Sequence, residues 1–159
     1  MMSIRFLCES HRQQLQRSEA VASQRWEEWM EAGREAYAQR DWVPALRYLG
    51  CCFELSELML SGERELALED VDRHMLSGHY LSECFARCGD QSLQQHCLLA
   101  VHHRLLQALR NGLGRRLPLY KNVEISLQML ERFYRDGGRM DELAHCQRES
   151  RRLLRSCYH

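Results

Sequence analysis

Residues 29–52 read WMEAGREAYAQRDWVPALRYLGCC, and the fold is decided in this stretch. Gly33, Ala36 and Ala45 are small, and Trp29, Trp42 and Leu49 are large. Small residues let two helix axes approach, and bulky neighbours fill the space beside that approach. Arg40-Asp41 interrupts the apolar spacing between the two groups. The stretch therefore predicts two antiparallel helices joined by a short turn. Asp41 is suited to cap the second helix, and Pro44 falls in its first turn, where a missing N–H costs nothing.

Outward from this pair the pattern stays helical. Upstream, residues 1–8 read as an extended lead-in, followed by a short helix over 10–17 and a longer one over 20–39. Ala22, Trp26, Trp29, Met30, Gly33, Ala36 and Tyr37 give the longer helix its apolar spacing of threes and fours. Downstream, helices are expected over 42–60, 64–87, 92–110, 123–135 and 141–155. Ser61-Gly62, Gly89-Asp90, Asn111-Gly112 and Gly137-Gly138 punctuate them, and Ser77-Gly78 is a candidate kink in the third long helix. LGRRLPLY at 113–120 reads as the clearest connector. No alternation of apolar and polar residues suggests a strand.

A single shift superposes three blocks. Gly33, Ser82 and Glu131 are spaced by 49 residues, as are Arg40, Gly89 and Gly138. The same shift aligns Trp42 with Gln91 and Met140, Leu49 with Leu98 and Gln147, and Cys52 with Val101 and Ser150. Each block is helix, short turn, helix. Such units bury their apolar faces by stacking on their neighbours.

The first block resembles the tetratricopeptide repeat: Trp29, Ala32-Gly33, Ala36, Asp41-Trp42, Ala45, Leu49 and Cys52 fill that family's aromatic, small and large positions in order. LSECFARCGD at 81–90 keeps a weaker form, and Tyr134, Gly138, Met140 and Leu143 keep some of the third. The spacing of 49 exceeds the family's usual period of about 34. The small residue Ala45 becomes Gln94 and Leu143 in the later blocks. The resemblance implies an all-α fold of six to seven helices, with antiparallel hairpins stacked as a short α-solenoid. It implies one domain over 1–159, with repeat-like units at about 20–61, 64–111 and 121–156. It also implies a concave groove, lined by the first helix of each pair, that holds a partner's extended or helical segment. Carried over by position, the groove residues are Glu27, Met30, Arg34 and Tyr37, then His79, Glu83 and Arg87, then Gln128, Arg132 and Arg135. Arg34, Arg87, Arg132 and Arg135 suit acidic partners, because a guanidinium matches a carboxylate with two parallel hydrogen bonds.

Composition is that of an ordinary globular chain, 45% hydrophobic and 28% charged. No apolar run reaches the roughly 18 residues of a membrane span, and MMSIRFLCESHRQQ is too briefly apolar for a secretory signal, so a cytoplasmic protein is expected. The formal net charge is zero, but residues 1–100 hold 10 basic and 16 acidic side chains, and residues 101–159 hold 12 and 6. This polarity makes contact between copies a second expectation, and such contact would be salt-sensitive. Most of the eight cysteines lie at apolar helical positions and read as small reduced hydrophobes.

Three other chemistries have weaker sequence signals. Metal binding has weak support: Cys8-x-x-His11 is the best pair, and no two pairs show a zinc-site spacing, so no cofactor is expected. Nucleic-acid binding rests on Arg148, Arg151, Arg152 and Arg155, which form one basic face of the last helix. Glu142, Glu149 and the neutral total weaken it. Catalysis lacks a phosphate loop, an H-E-x-x-H helix and a nucleophile elbow. The sequence thus points to a non-enzymatic adaptor or chaperone, of the kind the resemblance implies among small bacterial secretion chaperones and regulators. The alternatives are a nucleic-acid-associated regulator and a zinc- or redox-responsive one.

Overall fold

The computed structural model describes residues 5–62 and 64–158. They form seven α-helices: α1 (Glu9–Gln16), α2 (Glu19–Ala38), α3 (Trp42–Leu60), α4 (Leu68–Arg87), α5 (Gln91–Arg110), α6 (Tyr120–Asp136) and α7 (Met140–Tyr158). A single 3-10 turn at Leu113–Arg115 precedes α6, and no strand occurs among the described residues.

The repeat is visible in the helix ends. First helices stop at Ala38, Arg87 and Asp136, and second helices start at Trp42, Gln91 and Met140, so both series advance by 49 residues. The three turns share one hydrogen-bond pattern. Asp41, Asp90 and Arg139 donate their N–H to Ala36, Phe85 and Tyr134, at 2.9, 2.9 and 2.8 Å. Arg40, Gly89 and Gly138 donate to Tyr37, Ala86 and Arg135, at 3.0, 3.0 and 3.1 Å. These are Schellman closures, which consume the orphan carbonyls of a helix end and need a left-handed residue just beyond it. Arg40, Gly89 and Gly138 supply it, with φ of 60°, 76° and 69°.

Contacts divide the chain into two compact units, one up to Gln94 and one from Gln95 onward. In the first unit α3 packs against both α2 and α4. Gly33 makes the α2–α3 approach possible: a Cβ there would stand 2.8 Å from Leu49 Cδ2 and 3.2 Å from Tyr48 Cβ. Contacts between α2 and α4 advance together along both helices. Arg73 Nη1 donates to Ser23 Oγ at 3.3 Å, and the Tyr37 and Tyr80 rings lie 6.1 Å apart. The two first helices therefore run parallel. Trp26, Met30, Leu49, Cys52, Leu55, Val71 and Leu81 fill the core between the three. The lead-in and α1 lie on α3, where buried Glu54 accepts the N–H groups of Phe6 and Leu7.

In the second unit Leu98, Leu130, Tyr134, Leu143 and Cys146 form a buried cluster. Beside it His102 is wholly buried, with Nδ1 2.8 Å from Ser126 Oγ on α6 and Nε2 3.0 Å from Ser150 Oγ on α7. The Tyr158 hydroxyl donates to the Leu117 carbonyl and accepts from the Leu119 N–H, both at 2.8 Å, tying the end of α7 to the connector.

Several expectations are corrected. Asp41 stands at the N-cap of α3 but makes no side-chain cap bond, whereas Asp90 Oδ1 accepts the Leu93 N–H at 3.0 Å. Ser77-Gly78 does not break α4: the helix runs continuously through both, with Gly78 buried and Ser77 Oγ donating to the Arg73 carbonyl at 2.7 Å. Helix α4 starts at Leu68, not at 64. Arg64 instead pairs with Asp70 and Glu19, and Asp70 Oδ2 accepts the Ala67 N–H at 2.8 Å to start the helix. The repeat is imperfect too: Gly33 and Ser82 are buried, but Glu131 is half-exposed and pairs with Arg135.

Candidate protein-binding surface

The residues proposed to line a groove fall into two sets. Glu27, Arg34, Tyr37, Glu83 and Arg87 lie in the first unit, on the first helices α2 and α4. Three of them are brought together. Tyr37 is half-buried, edge-on to Trp42 at 5.4 Å and to Tyr80 at 6.1 Å. The Arg87 guanidinium is near enough to Tyr37 to interact with it electrostatically, and its Nε lies 3.4 Å from Glu83 Oε1. Those contacts hold the Arg87 guanidinium even further above its ordinary value. An aromatic platform thus carries an exposed cation beside a half-exposed anion.

Glu27 is exposed, 3.7 Å from Arg73 Nη2. Arg73 was not singled out from the sequence, yet it joins the two helices. It stacks over Trp26 at 5.7 Å and pairs with Glu69 at 2.9 Å. The Glu69–Arg73 spacing of four was legible; the arrival of Glu27 and Trp26 depends on how α2 lies on α4. Arg34 is exposed.

Two assigned residues do not belong to an open surface. Met30 is 1% exposed, because it shares a helical face with buried Trp26 and Gly33. His79 is half-buried, its Nε2 is shielded without a hydrogen-bond partner, and burial pushes its pKa down to about 4. It is neutral at ordinary pH and presents no charge.

The second set, Gln128, Arg132 and Arg135, is exposed on α6 in the second unit. Arg135 Nε lies 2.9 Å from Glu131 Oε1. On α7, Arg148, Arg151, Arg152 and Arg155 are all exposed. None has a carboxylate partner among the described residues. A shallow hollow is lined by Arg151, Arg155, Leu154 and Tyr120.

Among the described residues no three His, Cys, Asp or Glu side chains converge. Cys8 is exposed, while His11 packs edge-on against Trp29 at 5.5 Å. Burial pushes the Cys51 thiol up to about 11 and the Cys84 thiol to about 12, and raises those of Cys52 and Cys146. A thiol held protonated is a poor nucleophile and a poor ligand. Ser126 and Ser150, although bonded to a histidine, have almost no solvent-facing surface. Their hydroxyls also meet the Val123 and Cys146 carbonyls, so the trio joins three helices.

No helix of the described residues is long and apolar enough to cross a membrane. No protein-family model, no curated protein and no solved structure matches the chain.

Proposed function

We propose that this protein is a non-enzymatic adaptor or chaperone that binds a segment of another protein on the first-helix face of its helical hairpins. The observation that carries the reading is the Tyr37–Glu83–Arg87 cluster on parallel α2 and α4. It offers a tyrosine and an arginine side by side, residue types enriched at protein interfaces. The three identical turns support the tetratricopeptide-like reading of the fold behind it. The occupant would carry an acidic side chain or carboxylate for Arg34 and Arg87.

The test is affinity purification of the full chain from its native host, in parallel with Arg34→Glu/Arg87→Glu. The wild type should retain one specific protein that the folded double variant loses. Equal recovery by both would reject this face as the binding surface.

A second reading rests on α7. Its four exposed arginines without carboxylate partners favour contact with an acidic surface, and the first unit of another copy carries a net charge of −6. Sedimentation across a salt series should then show association that weakens as salt rises. Retardation of a nucleic-acid probe that depends on these arginines would favour a nucleic-acid partner instead.

A further inference from the structure

We infer that the pole of the second unit where α6 starts and α7 ends is a binding site for single-stranded nucleic acid, with Tyr120 as the stacking surface and Arg151 and Arg155 on the phosphates. The site rests on the unpaired α7 arginines of the second reading and takes in what surrounds them. The Tyr158 hydroxyl holds the two helix ends together through the Leu117 carbonyl and the Leu119 N–H, both at 2.8 Å. Tyr120, Arg151, Leu154 and Arg155 share one hollow there. Stretches 113–124 and 150–158 meet at this pole and carry six basic side chains and one acidic, Glu124. Arg115, Lys121, Arg151, Arg152 and Arg155 are exposed, and none has a carboxylate partner among the described residues. Glu142 and Glu149, the acids that weaken a nucleic-acid reading of the sequence, are occupied elsewhere. Glu142 pairs with Arg139, and Glu149 with Arg110.

Lys121 stands in the first turn of α6, which holds no acidic residue, so a cation lies at the positive end of the helix dipole. Gathering like charges there is unfavourable, and a bound polyanion offsets it. A guanidinium grips phosphate and carboxylate alike, so α7 by itself does not choose between a strand and an acidic protein. The rest of the pole does. Counterions released from a nucleic-acid backbone add attraction for each cation in reach, and the scattered carboxylates of a protein hold no such ion atmosphere. Tyr120 is 54% exposed, the most exposed Phe, Tyr or Trp ring of the chain. An open aromatic ring beside arginines is a platform on which the bases of a single strand stack. Bases paired inside a duplex are not free to reach it.

The full-length protein is titrated into a fluorescein-labelled oligo(dT) strand and followed by anisotropy under reducing conditions. Wild type should bind, and its affinity should fall between about 50 and 200 mM salt with a log–log slope of about −0.7 per phosphate held. Tyr120→Ala should weaken binding about tenfold, and Tyr120→Phe should leave it unchanged. Folded Arg151→Glu/Arg155→Glu should not bind. A duplex of the same length should bind more weakly than the single strand. No binding at about 50 mM salt, equal binding by Tyr120→Ala, or a preference for the duplex overturns the inference. Sedimentation of the same proteins without oligonucleotide separates it from the contact between copies. Salt-sensitive self-association that the arginine double variant loses, with no oligonucleotide bound, makes a second copy the occupant and overturns the strand alone. Neither association nor oligonucleotide binding removes both.

Discussion

A Cβ at Gly33 would meet Leu49 Cδ2 and Cγ at 2.8 and 2.9 Å, so one hydrogen atom sets how closely α2 approaches α3. Gly33→Ala should destabilise the first unit by about 2 kcal/mol through overpacking. Leu49→Ala alone leaves a cavity, but in the Gly33→Ala background the two changes relieve each other, and the double variant should be less than additive. Urea denaturation followed by tryptophan fluorescence reads this directly, since Trp26, Trp29 and Trp42 all lie in the first unit. Fully additive losses would show that the contact is not shared. Gly33 was legible because a small residue within an apolar helical stripe marks close approach. Met30 was misassigned to a groove, although its spacing to Trp26 and Gly33 already placed it on their face. Arg73 and Glu54 were missed because their partners, Trp26 and the lead-in amides, lie far away along the chain.

At the scale of the element, the turns carry the repeat. Arg40 holds a φ of 60°, which an L-residue adopts at a cost, whereas Gly89 and Gly138 occupy the same place without one. Arg40→Gly should therefore stabilise the protein, and Gly138→Ala should destabilise it, each by about 1 kcal/mol. Thermal melts of the two variants by circular dichroism should shift in opposite directions. The caps differ as well. Asp90→Ala removes the bond to the Leu93 N–H and should cost about 1 kcal/mol, while Asp41→Ala removes no cap bond and should stay within about 0.5 kcal/mol of wild type. Equal losses would mean that Asp41 caps in solution. The pitch of the turns was readable because backbone closure needs particular residues at particular offsets. Which aspartate actually capped was not, since that depends on the rotamer and on the ψ of the residue itself.

Across the whole molecule, the boundary at Gln94 separates charge: residues 1–94 carry 10 basic and 16 acidic side chains, and residues 95–159 carry 12 and 6. Acid should act through His102. It is fully buried between two serine hydroxyls, and burial lowers its pKa from 6.5 to about 4. The unfolded chain then binds the proton more readily than the folded one between those values. Stability is complete above about pH 6.5 and falls as pH drops toward 4, by roughly 3 kcal/mol for this one group. His79, also shifted down to about 4, adds in the same direction in the first unit. Urea midpoints measured by circular dichroism from pH 7 to pH 5 should fall in wild type and fall less in His102→Gln. Equal slopes would mean that His102 is charged or exposed in the fold.

Helix content, the places where helices end and the 49-residue pitch followed from the sequence alone, because they depend on local terms: apolar spacing, the residues that tolerate a left-handed turn, and the scarcity of proline. Tertiary structure decided which polar groups meet. Tyr37 found Arg87, Glu54 found the amides of Phe6 and Leu7, and His102 found Ser126 and Ser150, each across at least 24 residues of chain. A buried polar group must be satisfied by whatever the packing brings to it, and packing is a property of helix faces laid together, which no single helix encodes.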